Sequence, residues 1–183
     1  MEECSKTMKR VSLELGGKNP VIVMDDADLE LALEGVLWGA FGTTGQRCTA
    51  TSRLILHEKI KDEFIKRLLA KAKALRIGEG LLPETDIGPV INKAQLEKIE
   101  KYVKIGKEEG ATLLYGGNRI DLGLPAISSS PQYLRMSGQT CELHRKRFSG
   151  QYSGSLRFQT LKRRSHLRIV PDTGFLRQST LRI

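Results

Sequence analysis

Two residues have the type and setting to do chemistry. Cys48 lies in the run Gly42-Thr-Thr-Gly-Gln-Arg-Cys-Thr-Ala-Thr51, a small, polar, glycine-bearing loop between a predicted helix and a predicted strand. Such a loop can expose a thiol at a cleft and let backbone N–H groups face a reacting oxygen. Arg47 beside it would favour the thiolate, the reactive form of cysteine. Glu14 sits between Leu13 and Leu15, where a core strand should be apolar. A carboxyl group entering a cleft there would have a raised pKa and could serve as a general base. Each has a plainer alternative: a free cysteine that simply packs, and a glutamate on the solvated face of an edge strand. Lys18, after Gly16-Gly17, either pairs with Glu14 or caps the turn.

Strands alternating with helices must position these groups. Val11–Leu15 alternates apolar and polar residues and predicts a short strand, ended by Gly16-Gly17, which would let backbone come close to something. Pro20–Met24 predicts a second strand, buried on both faces. Leu29, Ala32, Leu33, Val36 and Ala40 fall at helical spacing, with Asp26 or Asp28 as the cap and Glu30 in the first turn. Arg53–His57 predicts a strand. Lys61–Leu75 predicts an amphipathic helix with Phe64, Leu68, Ala72 and Leu75 as its stripe. Lys93–Glu109 predicts a long charged helix stopped by Gly110, followed by a strand over Ala111–Tyr115. The alternation implies an α/β domain with a mainly parallel sheet and flanking helices.

The three cysteines (Cys4, Cys48, Cys141) make an odd count with no CxxC pair. His57, His144 and His166 form no ligand pair, so no metal site is expected. Met1–Arg10 has no apolar stretch of the secretory kind, and no run of about 18 apolar residues exists to span a membrane. A reducing, cytoplasmic location and no membrane partner are the expectation.

Taken together, the segments resemble the aldehyde dehydrogenase superfamily. The resemblance rests on Leu13-Glu-Leu-Gly-Gly-Lys-Asn-Pro20 and Gly42-Thr-Thr-Gly-Gln-Arg-Cys-Thr49, with Asp25-Asp-Ala-Asp-Leu29 and Asp86-Ile-Gly-Pro89 in support. It covers residues 1–120. It implies an α/β fold: a partial aldehyde dehydrogenase-type catalytic domain, mainly parallel sheet with flanking helices; the tail beyond it departs from the family and is expected to be disordered or irregular. It also implies oxidation of a small aldehyde substrate to a carboxylic acid with NAD or NADP. In that reaction the Cys48 thiolate forms a thiohemiacetal, hydride passes to the nicotinamide, and Glu14-activated water hydrolyses the thioester. Family members are homo-oligomeric. In the family, a region preceding the glutamate motif supplies the phosphate-binding loop, the adenosine pocket and an oxyanion-hole asparagine. Only ten residues precede Val11 here, so no cofactor-binding residue is assigned, and the 183-residue polypeptide is expected to be inactive by itself.

The net charge of +9 is uneven. Residues 1–120 hold 19 Lys+Arg and 18 Asp+Glu; residues 121–183 hold 11 and 3, with Arg and Ser in excess. Two segments are therefore expected: a partial catalytic domain over 1–120 and a basic tail over 121–183. The family's later motifs, including the strand that joins subunits, are not readable in the tail. A shift of one base recovers them. Taking the last base of each codon with the first two of the next, Arg145–Tyr152 can encode Glu-Glu-Ile-Phe-Gly-Pro-Val. Phe158–Ser165 can encode Ser-Asp-Phe-Glu-Glu-Ala-Val, and Pro171–Leu181 can encode Gly-Tyr-Gly-Leu-Ser-Ala-Ser-Ile-Tyr-Thr. The tail is accordingly read as out-of-frame and non-native. The alternative is a basic module that binds RNA or phosphate, with Tyr133, Phe148, Tyr152, Phe158 and Phe175 stacking on bases; nucleic acid is the less favoured partner.

Overall fold

A computed structural model describes residues 2–120, 128–129, 132–135 and 155–161. A one-turn helix, α1 (Glu2–Ser5), precedes an irregular stretch. Strand β1 (Asn19–Val23) then leads through an acidic turn into α2 (Leu29–Phe41). A 3-10 turn (Gly42–Gly45) and the cysteine loop connect to β2 (Thr51–His57). Helices α3 (Lys61–Lys73) and α4 (Lys93–Glu108) follow, then β3 (Thr112–Tyr115) and β4 (Arg119–Ile120). Further along are β5 (Ser128–Ser129), β6 (Gln132–Arg135) and β7 (Ser155–Leu161).

Five strands form one sheet in the order β1-β2-β7-β6-β3, and β4 pairs with β5 separately. The β1–β2, β2–β7 and β7–β6 pairs are parallel, and β3 runs antiparallel to β6. The sheet is thus mainly parallel, as the strand–helix alternation implies. It draws strands from both sides of Ile120, because β7 and β6 lie between β2 and β3. Three strands fall in the segment expected to be irregular. Cys141, His144, His166, Phe148, Tyr152, Phe175 and most of the 121–183 segment lie outside the described residues.

Side-chain caps and apolar stripes coincide at α2 and α4, and a stripe with complementary terminal charges marks α3. The Asp28 carboxylate accepts from Glu30 N (2.9 Å) and Leu31 N (3.1 Å), satisfying two N–H groups that the first turn of α2 leaves open. Helix α3 buries Phe64, Leu68 and Ala72 at i, i+4, i+8, with Asp62 and Glu63 at its start and Lys71 and Lys73 at its end. Helix α4 is capped by Asn92, which accepts from Gln95 N at 2.9 Å, and buries Leu96, Ile99 and Val103. It ends at Gly110, whose φ of +82° suits glycine.

The core lies where α2 and α3 cover the sheet. Leu54 and Leu56 of β2 are fully buried against Leu33, Val36, Phe41, Phe64 and Leu68. At the rim of that contact Glu30 pairs with Arg67 and Lys71, and Glu34 with Lys71 (2.5 Å).

Two expectations need correction. Val11–Leu15 is not a strand; residues 9–18 have no regular structure, and Leu13 and Leu15 are exposed. Alternation is necessary for a strand but not sufficient, since a strand also needs a neighbour to complete its hydrogen-bond ladder. Among the described residues none pairs with this segment. Strand β1 is also not buried on both faces: only Val23 is fully buried, because β1 lies at the edge of the sheet.

Candidate active site

The cysteine loop begins where α2 must stop. Thr43 (φ 52°), Thr44 (φ 58°) and Gly45 (φ 65°) are three consecutive left-handed residues. A β-branched residue in that region costs roughly 1–2 kcal/mol, so the turn persists only because its surroundings hold it. Thr44 is buried and its hydroxyl donates to Gly88 O at 3.1 Å. Gln46 N donates to Thr43 O at 3.1 Å, and the Gln46 side-chain oxygen accepts from Ile91 N at 3.0 Å. The loop is thereby fastened to residues 88–91, next to the Asp86-Ile-Gly-Pro89 string. That string is itself anchored: Asp86 accepts from Arg76 N, Nε and Nη2 at 2.8, 3.0 and 3.1 Å. The Arg76 side-chain bond, with its backbone N–H, holds the Asp86 carboxyl at about 2.

Arg47 turns its guanidinium to the end of α2. Its guanidinium donates to Trp38 O (2.7 Å) and Gly39 O (3.3 Å) and lies 5.0 Å from the centre of the Trp38 ring. Those carbonyls belong to the C-terminal end of α2, whose partial negative charge attracts a cation; Trp38 O also accepts from Gly42 N. The positive charge helps to close the helix.

Cys48 emerges from this turn exposed, which sets aside the plainer reading of a packed thiol. Its carbonyl accepts from Asn19 Nδ2 at 2.8 Å, and the same amide donates to Ala50 O at 3.2 Å. The register explains the contact. Asn19 pairs with Thr51 but Pro20 pairs with Arg53, so Ser52 is an extra residue in β2. Pro20 has no N–H to offer, and the Asn19 side chain supplies donors beyond the end of the ladder. Arg53 adds a second tie by donating to Lys18 O at 2.9 Å.

Glu14 is exposed in the irregular segment just before these ties. No hydrogen bond among the described residues joins it to Cys48. Five extended residues span at most about 18 Å, so the Asn19 anchor confines Glu14 to that radius around the loop. Gly16 has open space about it, whereas a Cβ at Gly17 would lie 3.0 Å from Asn19 Oδ1, so the close approach expected at Gly16-Gly17 is made at Gly17 by the Asn19 side chain. Asn19, Thr44, Gln46 and Arg53 were not singled out by sequence; the Asn19-Pro20 dipeptide was the one legible signal, since it removes a ladder donor beside a side-chain amide.

A dinucleotide needs a helix N-terminus whose N–H groups are open to its pyrophosphate. The described residues do not fit one. The turn from β1 to α2 carries Asp25, Asp26 and Asp28, and the Asp28 carboxylate already occupies the α2 N-terminus. Helix α3 opens with Asp62 and Glu63, and Asn92 caps α4. A cavity of about 300 Å³ lies elsewhere, lined by Glu34, Leu37, Trp38, Phe41, Asp86 and Ile87, and includes neither Cys48 nor Glu14. Among the described residues no cluster of His, Cys, Asp and Glu could hold a metal, and no helix is long and apolar enough to cross a membrane.

Comparison with known proteins agrees with this fold. Residues 1–126 match the model of the aldehyde dehydrogenase family. The chain is 48% identical over 119 residues to a chloroplastic aminoaldehyde dehydrogenase of Arabidopsis thaliana, covering 65% of this chain and 24% of that protein. It is 49% identical over 114 residues to an alpha-ketoglutaric semialdehyde dehydrogenase of Bacillus subtilis, covering 62% and 23%. The fold matches a betaine aldehyde dehydrogenase of Staphylococcus aureus solved with NAD+ (TM-score 0.80, 32% identity, 90% of this chain and 32% of that one). It also matches an NAD-dependent aldehyde dehydrogenase of Sinorhizobium meliloti (TM-score 0.81, 36% identity, 88% and 31%). The chain spans about a quarter of the length of the curated relatives it matches.

Proposed function

Because the chain belongs to the aldehyde dehydrogenase family, we propose that it carries the nucleophile and base of an NAD- or NADP-dependent aldehyde oxidation. Cys48 is the proposed nucleophile. Its sulfur adds to the aldehyde carbon, forming an S–C bond and placing negative charge on the former carbonyl oxygen. The Cys48 backbone N–H is the donor proposed for that oxygen. Glu14 is the proposed base that removes a proton from the water that later hydrolyses the thioester. The observation that carries the reading is the exposed Cys48 on a strained turn held by Thr44, Gln46 and Asn19. NAD or NADP, when bound, accepts the hydride; no described residue of this chain is assigned to that step.

The 183-residue polypeptide by itself is proposed to be inactive in hydride transfer, since its described residues build no pyrophosphate cradle. The test is aldehyde-dependent NADH formation by the purified chain. No turnover above a Cys48→Ala control is expected, and turnover at an ordinary enzyme rate would overturn the proposal. Residues 121–183 are proposed to be translated out of frame. The nucleotide sequence decides this: a single-base shift near codons 121–127 must restore the family strings. If none does, a genuine basic extension takes its place, and salt-dependent RNA binding lost on truncation at Ile120 would identify it.

A further inference from the structure

Asn19 lies outside the reacting pair, yet it is the side chain that touches the Cys48 backbone. We propose that Asn19 is the positioning residue of the nucleophile, its amide clamping the Cys48 and Ala50 carbonyls so that the cysteine loop is fixed to the end of β1. The proposal rests on the reading of Cys48 as nucleophile, but its mechanism is local. Three observations support it. Both amide hydrogens are engaged, at 2.8 and 3.2 Å, on carbonyls two residues apart that flank Thr49. The clamp sits at the register shift between Asn19 and Pro20, where the ladder cannot supply a backbone donor. It also lies five residues after Glu14, and Arg53 holds the intervening irregular stretch by donating to the adjacent Lys18 carbonyl at 2.9 Å. One short segment therefore ties the loop bearing the thiol to the irregular stretch bearing the carboxylate.

An isosteric change reverses the chemistry of the clamp. In Asn19→Asp an ionised carboxylate faces two carbonyl oxygens and repels both; a protonated one regains a single donor. Charge at position 19 thus becomes a pH-controlled release of the loop. The experiment uses the full 183-residue chain and dipyridyl disulfide, a thiol reagent that works in acid as well as at neutrality. Rates at Cys48 and Cys4 are read by peptide mass spectrometry from pH 4 to 8. The loss of two neutral hydrogen bonds predicts a Cys48 rate that departs from wild type by about fivefold or more at pH 7. The departure should shrink as the aspartate protonates, while Cys4 is unchanged throughout. Asn19→Ser, which keeps one donor, should lie between wild type and Asn19→Ala at all pH values, and it carries the test if Asn19→Asp does not fold. Cys48 rates within twofold of wild type in Asn19→Asp or, failing that variant, in Asn19→Ser and Asn19→Ala would overturn the proposal, as would equal changes at Cys4 and Cys48. If wild-type Cys48 reacts no faster than Cys4, the nucleophile reading fails, while the clamp is still judged by variant against wild type.

Discussion

Replacing Gly39 by alanine puts a methyl group where Thr51 already has its hydroxyl. A Cβ at position 39 would lie 2.5 Å from Thr51 Oγ1 but 3.5 Å from Thr51 Cβ, so the oxygen alone makes the clash. Two terms oppose each other. Alanine gains at most about 1 kcal/mol over glycine in a helix. Overpacking a tight contact costs roughly 1–3 kcal/mol. Gly39→Ala should therefore destabilise by up to about 2 kcal/mol. Thr51→Ala removes the oxygen and keeps the Cβ, so in that background Gly39→Ala should stabilise by up to about 1 kcal/mol. The expected coupling is on the order of 1–3 kcal/mol. Equilibrium urea unfolding of the four proteins, at unchanged m, measures it. Effects additive to within about 0.5 kcal/mol would refute the packing of α2 on the start of β2. The same strain should reach the cysteine loop, because Gly39 O is one of the two carbonyls that hold Arg47. The Cys48 alkylation rate should change in Gly39→Ala and return in the double variant.

Asp86 bears on acid stability. Its carboxyl is lowered from 3.8 to about 2 by Arg76, so its contribution is present above pH 3.8 and is lost as pH falls through about 2. Asp86→Asn should flatten that part of the acid limb in denaturation midpoints measured against pH; an unaltered limb would deny the pair a role. Phe64 is fully buried between α3 and the sheet, and Phe64→Ala should cost about 3–5 kcal/mol in the same urea assay. A loss below about 1 kcal/mol would mean that α3 does not seal the core.

The helices were legible because their apolar spacing is local. Phe64, Leu68 and Ala72 lie on one face whatever else the chain does, and Asp28 caps α2 with groups two and three residues away. The strand expected at Val11–Leu15 was misread because period-two alternation says nothing about a partner. The catalytic candidates were legible as strings, but the way they are held was not. The Asn19 clamp spans 29 residues and depends on a one-residue register shift that no local pattern encodes. The left-handed Thr43 and Thr44 run against β-branched preference, so only the tertiary bonds to Gly88 and Ile91 account for them. Arg47 is a neighbour of the sulfur in sequence; in space its guanidinium binds carbonyls at the end of α2.

The roles proposed for Cys48 and Glu14 can be tested without a dinucleotide, because an activated ester delivers the same acyl–sulfur bond that aldehyde oxidation would form. The full chain is incubated with p-nitrophenyl acetate and the acetyl group is followed by peptide mass spectrometry over time, in wild type and in Glu14→Gln. The sulfur attacks the ester carbonyl, p-nitrophenolate leaves, and water then cleaves the thioester with Glu14 taking its proton. Acetylation confined to Cys48, with Cys4 unmodified, and a thioester that persists longer in Glu14→Gln is the predicted result. Acetyl shared equally between Cys4 and Cys48, or a thioester lifetime unchanged by Glu14→Gln, would contradict the assignment of nucleophile and base.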